Sequence, residues 1–250
     1  MKSLFCPITI AETVYLQSHM LFRFIPLAAA TLPLVAMFGA LWIGIASETL
    51  PACFPPLDGA ISISATGRKP PGSFLFRAIM LPYALLLSFL WYLTVLWLRS
   101  LDADLRRSTT TAILVSGLVG SLALIVYVTF LGTKEPFYEF MRRVGIYFGY
   151  LGTALAQLLV ALALARISKA LQADRLRKTA RFLLAVCIVT FCLGILNSVL
   201  KVVLEDADAS ENRIEWIASV LMQSYFFVLF LAWRSTDMTT LVRVRKPGVG

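Results

Sequence analysis

LFRAIMLPYALLLSFLWYLTVLWL, residues 75–98, is a long apolar run in which Arg77 is the only charged side chain. The hydrocarbon core of a bilayer is about 30 Å thick, and an α-helix needs about 20 predominantly apolar residues to cross it. The run exceeds that length. It therefore predicts a transmembrane helix.

Windows of the same kind recur along the 250-residue chain, which is 59% apolar and only 15% charged. The other five windows are residues 24–46, 110–132, 144–165, 182–204 and 216–233. None shows the alternation of apolar and polar residues over about 10 positions that is typical of a transmembrane β-strand. The sequence therefore predicts an all-α integral multi-pass membrane protein, in which a bundle of six transmembrane helices occupies residues 24–233 as one domain.

The distribution of Lys and Arg predicts which side of the membrane each segment faces, because cytoplasmic loops carry an excess of positive charge. The densest group lies between the fourth and fifth windows and consists of Arg166, Lys169, Arg175, Arg177, Lys178 and Arg181. With this loop inside, both the lead-in at residues 1–23 and the basic tail at residues 234–250 are predicted to be cytoplasmic. The one longer outer loop joins the first two windows, and its Pro and Gly residues predict turns. The net charge of +9 is thus explained by membrane topology, and we expect no nucleic-acid partner.

Histidine usage limits the chemistry, because the chain has a single His, His19, ahead of the first window. Zinc sites that gather several His residues, an HExxH helix and a Ser–His pair are excluded. We therefore assign no catalytic residue, no metal and no cofactor, and the sequence favours a protein that is not an enzyme.

Polar residues gather at the predicted outer ends of the windows, although ionisable groups in a membrane are costly and therefore indicate function. They are Arg77, Arg142, Asn197, Lys201 and Glu215. We expect them to form an outward-facing cationic pocket for the phosphate of an anionic lipid headgroup, with Glu215 and Asn197 orienting the cations. The alternative is structural, because Arg77 and Lys201 are close enough to the interface to snorkel, and Lys201 can pair with Glu205 four residues later.

Small residues repeat every four positions in the fourth window, at Gly145, Gly149 and Thr153. This spacing lets two helix backbones approach closely and predicts a helix-packing face. Gln157, one step further along, is expected to make a hydrogen bond between helices.

Three stretches resemble the Frag/DRAM/Sfk family of six-span membrane proteins. The first is ISATGRKPP at residues 63–71, followed by Phe76 and Arg77, which is similar to the family's outer-loop signature and includes Ser64 and Gly67. The second is MRRVGIYFGYLGTALAQLL at residues 141–159, with Arg142 in place of the family's His, and the third is RIEWIASVLMQSYFFVLFLAW at residues 213–233. The sequence resembles in particular the members of the family that remodel the lipid of GPI anchors.

This resemblance implies a lipid-handling or regulatory factor, engaged in GPI-anchor lipid remodelling or in control of phospholipid distribution, with membrane lipids as partners. Ser64 and Gly67 then join the expected headgroup-binding set at the outer leaflet. Two alternatives remain open: a lysolipid acyltransferase-like enzyme using Ser64 or Glu215, and a small transporter or a scaffold that binds other membrane proteins through Gly145 and Gly149. The membrane is an endomembrane in a eukaryote or the inner membrane in a bacterium.

Overall fold

The computed structural model describes residues 22–133 and 135–236, which are helical apart from short connections. The long helices are α1 (Ile25–Ala46), α4 (Gly72–Leu101), α5 (Arg107–Thr129), α6 (Pro136–Ala170), α7 (Asp174–Val203) and α8 (Asp208–Ser235). Two single-turn helices, α2 (Pro55–Asp58) and α3 (Ile63–Thr66), lie between α1 and α4. Each of the six long helices is long and apolar enough to cross a membrane. The all-α, six-span prediction is therefore confirmed, while most of the lead-in and tail lies outside the described residues.

Several helices extend beyond the apolar windows. Helix α6 begins at Pro136, so Arg142 and Arg143 lie inside the helix and not ahead of it. Proline is tolerated there because the first turn of a helix leaves its backbone N–H groups unpaired in any case. The loop predicted as turns likewise contains α2 and α3.

The long helices form a closed ring in chain order. Each packs against its neighbours in sequence, and α8 returns to pack against α1. Stacking between Phe24 and Phe230, with ring centroids 5.7 Å apart, joins the start of α1 to the last turns of α8. Residues 47–71 cover the opposite end of the ring, where α4, α6 and α8 begin, and we call this the loop end.

The closest helix pair is α5 with α6, and glycine is what allows it. A Cβ atom on Gly152 would lie 2.7 Å from the backbone nitrogen of Gly120, and one on Gly145 would lie 2.5 Å from the backbone nitrogen of Tyr127. Such distances leave no room for any side chain, so the two backbones approach directly. The result is a rigid wall on one side of the ring interior.

The loop is fixed to the start of α8 by hydrogen bonds to its backbone. Asn212 donates to the carbonyl oxygen of Gly59 at 2.8 Å, and the buried Trp216 indole donates to that of Ile61 at 3.0 Å. Gly59 has a φ of 69°, and a Cβ there would lie 2.1 Å from the carbonyl oxygen of Ala209. This position requires glycine, and the clamp holds α3 over the ring interior.

Candidate functional site

A partly open cavity of about 90 Å³ lies inside the ring, and α7 contributes nothing to its wall. Most of its lining is apolar, and three methionines, Met37, Met80 and Met222, belong to it. Methionine side chains adapt to irregular shapes because they are unbranched and flexible. The cavity can therefore take up apolar groups of variable shape. The wall is formed by Pro33, Met37, Ile63, Phe76, Met80, Tyr83, Leu87, Gly120, Leu124, Tyr127, Gly145, Ile146, Gly149, Tyr150, Thr153, Glu215, Ser219, Met222 and Gln223.

A polar stripe on α8 runs down one side of this cavity. Glu215, Ser219 and Gln223 are four residues apart, which places them on one face of the helix. Ser219 shares a hydrogen bond with the hydroxyl of Tyr150 on α6. Glu215 marks the loop end of the stripe and Gln223 its deep end, so polarity continues from the mouth into the apolar interior.

The mouth of the cavity is covered by α3. The backbone N–H of Ile63, the first residue of α3, donates to the Glu215 carboxylate at 3.3 Å. Ser64 is buried, and its hydroxyl accepts a hydrogen bond of 2.9 Å from the Arg68 guanidinium. Glu215 and Ser64 are therefore joined through α3, and Ser64 holds the guanidinium of Arg68, which like Arg142 does not itself line the cavity.

The charges that act on one another at the mouth are Arg68, Arg142 and Glu215, together with Glu139, which acts on Arg68, and Glu211, which acts on Glu215. Burial lowers the pKa of the Arg68 guanidinium from its ordinary value, and the neighbouring Arg142 lowers it further, whereas Glu215 acts in the opposite direction. Arginine stays protonated under such a shift, because its ordinary pKa lies so far above neutrality. Glu139 and Glu211 form ion pairs with Arg143 and Lys201, which leaves Arg68 and Arg142 facing Glu215 with one positive charge in excess, so we expect the mouth to attract anions.

Arg142 and Arg143 adjoin in sequence but point to different surroundings. The Arg143 guanidinium forms an ion pair with Glu139 on the same helix, at 3.9 Å, with 66% of the arginine side chain exposed. Arg142 is partly buried beside the mouth and makes no hydrogen bond or ion pair with other described residues. Its guanidinium donors are therefore available to a ligand.

Arg77 does not line the cavity, but it lies near the same loop, because Leu131 packs close to Gly67 and the next residue, Gly132, packs close to the backbone of Arg68. Its guanidinium donates to the carbonyl oxygen of Leu131, just after the end of α5. A cation at that position satisfies a carbonyl group left unpaired at the helix end and interacts favourably with the helix dipole. In this geometry the side chain joins α4 to the end of α5, and the Nε atom of Arg77 is buried without a partner among the described residues.

Asn197 and Lys201 on α7 are also outside the cavity wall. Lys201 forms an ion pair of 2.6 Å with Glu211 on α8, so the expected pair with Glu205 is wrong. The reason is that α7 ends at Val203, and Glu205 therefore lacks the helical spacing that the pair requires. Asn197 is partly buried, and its side-chain oxygen has no partner among the described residues.

The remaining sequence-predicted residues lie at the wall and the cap. Gly145, Gly149 and Thr153 pack against α5 and line the cavity, so this small-residue face is a helix-packing face within the chain. Gln157 donates to the carbonyl oxygen of Met222 on α8 at 3.1 Å, as an interhelical hydrogen bond. Gly67 is buried, and a Cβ there would lie 2.7 Å from the Leu131 side chain.

Sequence reasoning missed Arg68, Tyr150 and Gln223. Arg68 could have been identified from the sequence, because it directly follows Gly67 in the loop motif. Gln223 could also have been identified, since Glu215, Ser219 and Gln223 are spaced by four in a helix. No sequence pattern identifies the phenol of Tyr150, because only the packing of α6 against α8 brings it to Ser219.

Within residues 22–133 and 135–236, no group of three or more His, Cys, Asp or Glu side chains is placed to hold a metal ion.

The family model for the Frag1/DRAM/Sfk1/Cwh43P N-terminal domain matches residues 21–236. No curated protein and no solved structure matches the chain.

Proposed function

Because the chain belongs to the Frag1/DRAM/Sfk1/Cwh43P family of membrane proteins, we propose that it is a lipid-handling or regulatory factor that binds an anionic phospholipid at the loop end. The headgroup phosphate contacts Arg68 and Arg142, and part of one hydrocarbon chain enters the cavity. The positive-inside distribution supports an outer-leaflet position for this end. The cellular role that we propose is GPI-anchor lipid remodelling or control of phospholipid distribution between leaflets.

The observation that carries the proposal is the position of two arginines beside the mouth of an apolar cavity. Arginine matches phosphate in geometry, since its planar guanidinium presents several N–H donors at once. Ser64 supports this role by holding the Arg68 guanidinium at 2.9 Å. Glu215 receives the N–H of Ile63 and so keeps α3 in place over the mouth.

The cavity volume of about 90 Å³ suits a segment of a chain and not a whole lipid. The remainder of the lipid then stays in the bilayer beside the bundle, and its headgroup stays near the membrane surface. This arrangement is consistent with a protein that holds or presents a lipid without removing it from the membrane.

Native mass spectrometry of the purified protein tests the proposal through two neighbouring arginines. We expect Arg142→Ala to lower the fraction of protein that retains phosphatidylserine, with an affinity loss of about tenfold, or ~1.4 kcal/mol. Arg143→Ala is the matched control, because its partner Glu139 lies on the same exposed helix face. It should retain lipid as the unmodified protein does.

The same experiment includes Arg68→Ala and the double variant with Arg142→Ala. Equal retention of phosphatidylserine by the double variant and the unmodified protein would contradict headgroup binding at this mouth. Thermal unfolding of each variant in the same detergent distinguishes loss of the lipid from loss of the fold.

A further inference from the structure

Two buried glutamines, one on α6 and one on α8, differ in their hydrogen bonding. Gln157 on α6 is 2% exposed and donates to the carbonyl oxygen of Met222 at 3.1 Å. Gln223 on α8 is 9% exposed and lines the cavity, yet it makes no hydrogen bond with any described residue. Its Oε1 atom is buried without a partner. Buried amides are almost always hydrogen-bonded, so the unused amide of Gln223 requires an explanation.

The position of Gln223 is deep in the cavity. It follows Glu215 by eight residues, which is about 12 Å along the axis of α8. Between the two, Ser219 is already engaged with Tyr150. Gln223 is therefore the first unengaged hydrogen-bonding group on this stripe below the mouth. The rest of the wall includes the apolar Met80, Leu87 and Met222 and also the hydroxyl-bearing Tyr83 and Thr153.

We propose that Gln223 is a specificity-determining residue that selects lipids with a hydroxyl group inside the hydrocarbon chain. This inference rests on the proposed function and names the class of lipid that the cavity takes. A hydroxyl both donates and accepts, and a glutamine amide offers an acceptor oxygen and two N–H donors. The outer torsion of the glutamine side chain is broad and roughly two-fold, so either end of the amide can turn to the ligand.

A plain saturated chain would leave the Gln223 amide unpaired. A hydroxylated chain satisfies it, and the chain also avoids burying its own hydroxyl without a partner. The discrimination follows from this double effect, because a site built to bind a hydroxyl rejects the analogue that lacks one. The depth of about 12 Å requires the hydroxyl near the middle of the chain and not beside the headgroup.

Fatty acids serve as probes, since their carboxylate stands in for the anionic headgroup at Arg68 and Arg142. Binding of stearate, of hydroxystearate with a mid-chain hydroxyl, and of hydroxystearate with the hydroxyl beside the carboxylate is measured by calorimetry on the full-length protein in detergent. We expect the mid-chain form to bind about fivefold to tenfold tighter than stearate. The form with the hydroxyl beside the carboxylate should bind like stearate.

Gln223→Leu should abolish this preference by weakening the mid-chain form, and stearate should bind this variant at least as well as it binds the unmodified protein. Gln223→Met, which keeps the length of the side chain without the amide, serves the same purpose if Leu perturbs the fold. The matched control is Gln157→Leu, which should lower the thermal unfolding midpoint because it removes a made hydrogen bond, and should keep the binding preference.

The outcomes separate this inference from the proposed function. Equal binding of stearate and mid-chain hydroxystearate to the unmodified protein, unchanged in Gln223→Leu, would overturn the role of Gln223 and leave lipid binding intact. In that case water satisfies the amide. Failure of every fatty acid and of phosphatidylserine to bind would overturn both.

Discussion

Helices α7 and α8 are neighbours in the ring and both bring polar residues to the loop end, but they differ in what those residues do. In its most apolar window α8 is 44% buried, whereas α7 is only 17% buried. Glu215 on α8 faces the cavity, and Lys201 on α7 pairs with Glu211 outside it. A charge near the end of a span therefore becomes part of a site only when its helix face is turned inward.

The reason lies in what packs on each helix. Helix α8 packs against α1, α7 and the loop, and Asn212 and Trp216 donate hydrogen bonds to that loop. Helix α7 packs mainly against α6 and α8 and leaves large apolar side chains such as Ile195 and Val202 exposed. In a membrane those side chains contact lipid tails, which are as apolar as they are.

The largest expected effect on stability comes from a glycine of the ring interior, and a glycine of α7 provides the contrast. Gly152→Ala on α6 places a Cβ 2.7 Å from the backbone nitrogen of Gly120, and we expect a loss of about 1–3 kcal/mol in the free energy of unfolding. Gly194→Ala on α7 is the matched change, because no atom lies within 4 Å of its Cβ. It should be neutral or stabilising by up to about 1 kcal/mol, since alanine favours helix over glycine.

Thermal or denaturant unfolding in detergent measures both glycine variants. A destabilisation by Gly194→Ala as large as that by Gly152→Ala would show that α7 is packed as tightly as α6 and would contradict the low burial of α7.

The smallest expected effect concerns the ion pair that joins α7 to α8. Lys201→Ala removes a contact between side chains that are 40% and 38% exposed, so we expect a loss of about 0–1 kcal/mol in stability. Retention of phosphatidylserine should not change, since the Lys201 ammonium is already paired with Glu211, whereas the Arg142 guanidinium has no ion-pair partner among the described residues. The readouts are the unfolding midpoint and native mass spectrometry. A loss of bound lipid equal to that of Arg142→Ala would show that Lys201 belongs to the headgroup site.

The six spans could be predicted because about 20 consecutive apolar residues commonly form a helix that crosses the membrane. The helix ends could not, since charged segments such as residues 136–143 continue as helix without being apolar. The same limit affected Lys201, where the end of α7 at Val203 decides between Glu205 and Glu211 as partner.

The candidate site was predictable in part. Arg142 and Glu215 could be identified as polar residues at the ends of windows, and the loop motif pointed to Ser64 and Gly67. The sequence could not predict whether the polar residues of α7 join the site. The transmembrane segment of α7 is apolar on nearly every face, so its sequence does not indicate which face is turned inward. Arg68 likewise depends on the fold of the loop, since α3 and Ser64 together set where its guanidinium lies.

The most direct test of the account is photocrosslinking with phosphatidylserine that carries a diazirine in one acyl chain, followed by mapping of the labelled peptides. We expect labelling of the cavity wall on α6 and α8, around Tyr150 and Met222, and a loss of that labelling in the Arg68→Ala, Arg142→Ala double variant. Labelling confined to the exposed face of α7, and unaffected by the double variant, would contradict a lipid site inside the ring.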